Sequence, residues 1–84
     1  MPPYRIEWMD EAATDVRGID RETAMRLFES IRRFALTGAG DVNTLHDDMA
    51  GSFRLRFGDY RVLFNLEDGD MRIFGVRHRS EAYR

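Results

Sequence analysis

Three times between residues 53 and 76 the chain returns to a period of two in its apolar side chains, and that period limits the fold more than anything else in the sequence. The runs are residues 53–57, 61–66 and 71–76, with Gly58-Asp59 and Asp68-Gly69 as turn signals between them. A strand sends successive residues to opposite faces, so period two means a sheet with one face covered and one face open. Phe53, Leu55 and Phe57, then Val62, Phe64 and Leu66, then Phe74 and Val76 form the covered set. The same parity sends Arg54, Arg56, Arg61 and Arg77 to the open face, together with Leu63 and Ile73.

Upstream the period changes. Tyr4, Ile6 and Trp8 alternate with charges as in a half-buried strand. Asp10 caps a short helix carrying Ala12, Ala13 and Val16, which Gly18 ends. Asp20 caps a longer helix. Its residues Ala24, Leu27, Phe28, Ile31, Phe34 and Ala35 recur at helical spacing, and Gly38 stops it. Residues 38–51 read as a polar loop. The expected architecture is α+β: an N-terminal strand, two helices, then a three-stranded antiparallel run, with the helices packed on one face of the sheet.

At 84 residues the chain reads as one domain, residues 1–84, with no room for a second core. It has no cysteine, which excludes disulfides and thiolate metal sites and suits a reducing cytoplasm. No apolar run approaches the roughly 20 residues of a membrane span, and MPPYRIEWMD carries no signal-peptide pattern, so the reading is cytoplasmic with no membrane partner. His46, Asp47 and Asp48, with Asp41, lack diagnostic ligand spacing and read as a solvated loop, so neither a metal nor a cofactor is expected.

The formal net charge of −2 argues against a nucleic-acid binder until its distribution is considered. Residues 1–50 hold six arginines against ten acids, whereas residues 51–84 hold seven against five. All 13 basic residues are arginine, a cation that binds phosphate in a bidentate fork and stays protonated. Four such cations on one sheet face repel one another unless an anion offsets them. An anionic ligand is the simplest reason for their presence.

RLRFGDYRVLF and VRHRSEAYR, with the opening YRIEW and the strand-helix-helix-strand-strand-strand order, resemble the RelE branch of the RelE/ParE toxin superfamily over essentially the whole chain. The resemblance implies a metal-independent messenger-RNA endoribonuclease that cuts in the ribosomal A site. It also implies a cognate antitoxin that holds the toxin inactive in a hetero-oligomer. Position by position it gives Arg54 and Arg56 the basic pair on a strand, Arg61 the arginine after the turn, and Arg77 and Tyr83 the C-terminal arginine and catalytic tyrosine. Arg79, within the HRxxxY piece, joins the RNA-binding set. The basic pair is arginine where relatives often have lysine, and the net charge is acidic where such toxins are usually basic.

In the implied chemistry the RNA 2′-hydroxyl attacks the adjacent phosphorus, leaving a 2′,3′-cyclic phosphate and a 5′-hydroxyl. Arg61 and Arg77 would offset charge growing on the phosphoryl oxygens. Tyr83 would act as the base, its phenolate favoured by neighbouring guanidinium groups. His78 is the rival, with a near-neutral reference pKa but a parity that puts it on the Val76 side. Two other readings stay open: a gyrase inhibitor of the ParE branch, which generally lacks the Arg77 and Tyr83 pair, and an inactive homologue that only binds its antitoxin.

Overall fold

The computed structural model describes residues 1–45 and 51–80. Its elements run β1 (Arg5–Trp8), α1 (Asp10–Arg17), α2 (Arg21–Thr37), β2 (Asp41–Thr44), β3 (Ser52–Phe57), β4 (Tyr60–Glu67) and β5 (Asp70–His78). The strands form one sheet in the order β1-β5-β4-β3-β2, antiparallel except where β1 lies parallel to β5. Among the described residues no helix is long and apolar enough to cross a membrane.

Both helices start where the sequence predicts, but their caps differ. Asp20 accepts a 3.0 Å hydrogen bond from the Thr23 backbone N–H, satisfying one of the free donors at the start of α2. Asp10 is instead the first residue of α1; Met9 precedes it without a side-chain cap, and the carboxylates of Asp10 and Glu11 meet only the positive end of the helix dipole. Gly38 ends α2 in the left-handed conformation, φ 80°, returning its N–H to the Phe34 carbonyl.

The core lies between the helices and one sheet face. Ala12, Leu27, Ile31, Phe34 and Ala35 meet Leu55, Val62, Phe64, Met71, Ile73 and Val76. Each fully buried Leu, Ile or Phe side chain contributes about 1.5–3 kcal/mol. Phe34 contacts Phe64 at 5.2 Å between ring centroids, which ties α2 to the middle of the sheet. Phe28 sits at the margin of this layer, more exposed than its helical position predicts, with its ring edge-on to Trp8.

Two further expectations fail. The polar loop contains a strand, because Asp41, Val42, Asn43 and Thr44 pair with Arg56, Leu55, Arg54 and Phe53. This edge strand turns only Val42 toward the core, too little apolar signal to show periodicity. The parity of the last strand also breaks. Leu63 pairs with Gly75 while Phe64 pairs with Ile73, so Phe74 is the extra residue of a β-bulge. Met71 and Ile73 are consequently fully buried, whereas Phe74 is half-buried beside Met9, Asp10 and Glu11. Ile73 therefore does not share the open face with Leu63.

Candidate functional site

Beyond the bulge the parity is as expected from Val76 onward, and this aligns the arginines. Arg56 pairs in register with Arg61, and Arg61 with Arg77, so three guanidinium-bearing positions form one row across β3, β4 and β5. Arg54 lies in the next row, opposite Leu63 and Asn43. Directly opposed residues have Cβ atoms about 4.5–5.5 Å apart, so the row concentrates positive charge on the open face.

Carboxylates stand at both ends of that row. Asp41 on β2 is registered against Arg56, although no ion pair forms between them. At the other end Arg77 pairs with Asp15 of α1, whose carboxylate also accepts from the Val76 backbone N–H at 2.9 Å. That N–H lies on the edge of β5 beyond the reach of β1, so Asp15 closes an otherwise open strand edge. Among the described residues Arg54, Arg56 and Arg61 have no carboxylate partner.

The turn between β3 and β4 completes the site. Arg56, Arg61 and Arg79 line a shallow cavity with Gly58, Asp59 and Tyr60. Arg79 is drawn there by two contacts with Asp59, its N–H on the Asp59 carbonyl at 2.6 Å and its guanidinium 3.7 Å from the carboxylate. A cavity lined by three arginines against one carboxylate, at a tight backbone turn, suits an anion.

His78 lies away from the row. Its ring stands edge-on to Tyr60 at 5.0 Å, beside Asp15, Gly18, Ile19 and Val76. Its Nδ1 takes the Ser80 backbone N–H at 3.2 Å and lies 2.9 Å from the Ser80 hydroxyl, so only Nε2 is free among these contacts. Tyr83, like His46, Asp47 and Asp48, lies outside the described residues.

Sequence reasoning missed Asp15, Asp41, Gly75 and Tyr60. Gly75 carried a signal, since a glycine inside a strand marks a close approach. A Cβ there would meet the Arg77 guanidinium at 3.2 to 3.4 Å. Asp15 carried none, because its contact with Arg77 spans 62 positions.

The chain as a whole is similar to known toxins. Toxin RelE of Mycobacterium tuberculosis is 29% identical over 85 residues, covering 98% of this chain and 88% of that protein. The toxin–antitoxin complex RelBE2 from Mycobacterium tuberculosis contains a chain of the same fold, with TM-score 0.81, 24% identity and 95% of both chains covered. The RelB–RelE antitoxin–toxin complex from Methanococcus jannaschii contains another, with TM-score 0.76, 16% identity, and 90% and 93% covered. The model of the ParE toxin of type II toxin–antitoxin systems matches residues 6–83, from within β1 to beyond the end of β5. With both helices, the arginine row and all but the first residue of the sheet inside that match, the chain belongs to the ParE toxin family of type II toxin–antitoxin systems, in the RelE/ParE superfamily.

Proposed function

We propose that this toxin is a ribosome-dependent messenger-RNA endoribonuclease, acting as one domain over residues 1–84 and held inactive by a cognate antitoxin. The observation that carries the reading is the row Arg56, Arg61, Arg77, whose central member has two cationic neighbours and no ion-pair partner among the described residues. Such a row costs stability in the free protein, and a phosphodiester offsets that cost.

In the proposed reaction the scissile phosphate lies over Arg61, with Arg77 on one side and Arg56 on the other. The 2′-hydroxyl loses its proton to the Tyr83 phenolate, its oxygen bonds to phosphorus, and the bond to the 5′-oxygen breaks. The leaving oxygen takes up a proton from water, giving a 2′,3′-cyclic phosphate and a 5′-hydroxyl. Arg61 and Arg77 stabilise the extra negative charge on the phosphoryl oxygens, a contribution of several kcal/mol when donors are preorganised. Arg54 and Arg79 hold the flanking backbone phosphates. His78 is the alternative base; its position across the sheet from the row counts against it. The same cationic row, with Leu63 beside it, offers an antitoxin a surface for acidic and apolar residues.

A second reading, gyrase inhibition, is favoured by the family match itself, since it is the ParE toxin model that fits residues 6–83. Incubating the purified protein with translating ribosomes and mapping new 5′ ends separates the two. Cuts within A-site codons support the endoribonuclease. A gyrase-dependent DNA cleavage complex without RNA cuts supports the inhibitor.

A further inference from the structure

Arg77 is held in an unusual way for a residue meant to bind substrate. Its Nη1 points at the Asp15 carboxylate and, at 3.3 Å, at its neighbouring Val76 carbonyl. A guanidinium has five donors in a planar fork, so anchoring Nη1 leaves the Nε and Nη2 edge for another acceptor. Three features fix that plane. Asp15 is fixed by the Val76 N–H. It belongs to α1, whose Ala12 is fully buried in the core. Gly75, registered against Leu63, has no side chain, and the guanidinium lies over the space that a Cβ would fill.

A repulsive neighbour explains the need. Arg61 is directly opposite Arg77, and two free guanidinium groups at that separation would swing apart into solvent. The Asp15 carboxylate draws Arg77 to the β5 edge while offsetting its charge, so the arginine stays in the row with its open edge available.

We infer that Asp15 is a positioning residue: with Gly75 it orients the Arg77 guanidinium so that its free edge receives a phosphoryl oxygen. This rests on the endoribonuclease reading above. It is distinct from general electrostatics, which predicts the opposite sign, because removing a carboxylate beside a cationic site should strengthen anion binding.

Two variants of the full chain test it. Asp15→Asn keeps an oxygen for the Val76 N–H but turns the acceptor of Arg77 Nη1, the same Oδ2, from a charged into a neutral one. Gly75→Ala keeps both charges and places a methyl against the guanidinium. In a single-turnover assay on programmed ribosomes, each should lower the cleavage rate by about 10- to 100-fold, with ribosome affinity unchanged. Cleavage at or above the parental rate by either variant, with its fold intact, overturns the inference. If the parent itself cuts no RNA, the functional reading fails and inorganic phosphate decides the positioning. NMR titration should then show several-fold weaker phosphate binding in both variants, with the Arg77 Nε–H signal no longer responding. Equal or tighter binding in Asp15→Asn overturns the inference independently of any activity.

Discussion

Arg61→Met should make the toxin more stable while disabling it. Arg61 is opposed by Arg56 on one side and Arg77 on the other, and no carboxylate among the described residues pairs with it. A like-charge pair directly opposed across strands costs about 0.2–1 kcal/mol. The Arg77 contribution is reduced by Asp15, and solvent screens both, because Arg61 is only half-buried. Methionine keeps an unbranched apolar stem and removes the guanidinium with its charge. The net expectation is a gain of about 0.3–1 kcal/mol, or roughly 2–6 °C in Tm for a domain of this size. The gain should disappear near 1 M salt, where the screening length falls to about 3 Å. Single-turnover cleavage on the ribosome should fall by about 10²–10³. Thermal melts at low and high salt, beside the cleavage assay, measure both effects. A fall of several degrees in Tm would make Arg61 a structural residue, and a stable variant that cleaves at the parental rate would remove it from the active site.

Ile73→Ala tests the bulge: a side chain buried to 0% exposure should cost about 2–5 kcal/mol, read from urea melts, whereas the face that simple alternation assigns it would cost almost nothing. The Asp20 carboxyl is held below its ordinary value of 3.8, chiefly by the Thr23 backbone N–H. Because the folded value is depressed, the stability that Asp20 contributes is present above about pH 4 and is lost as pH falls through the folded value. The Tm difference between the protein and Asp20→Ala should therefore be largest near neutrality and shrink in acid. Tyr83→Phe keeps the ring and removes the hydroxyl, so under the proposed reaction single-turnover cleavage should drop by about 10²–10⁴ with ribosome affinity unchanged. If it does not, His78→Gln is the variant that should abolish cleavage.

How much of this was legible in the residues follows from range. Alternation at 53–57 and 61–66 fixed the facing of Arg54, Arg56 and Arg61 because period two is a local property of a strand. The helical spacing from Ala24 to Ala35 located α2 for the same reason. What escaped was nonlocal. β2 exists because β3 offers a free edge, since its own four residues are nearly all polar. The bulge at Phe74 comes from the fit of β5 between β4 and β1, and one extra residue inverts every assignment on its N-terminal side. Asp15 meets Arg77 only because α1 continues past the end of β1 along the edge of β5.

The most direct test of the central claim is chemical. Ribosomes programmed with a messenger carrying either a normal ribose or a 2′-deoxyribose at the nucleotide 5′ to the scissile phosphate would be incubated with the purified toxin. Cleavage of the normal strand to a 2′,3′-cyclic phosphate and a 5′-hydroxyl is expected, with the deoxy-substituted strand left intact. Equal cleavage of both strands, or of neither, would contradict it.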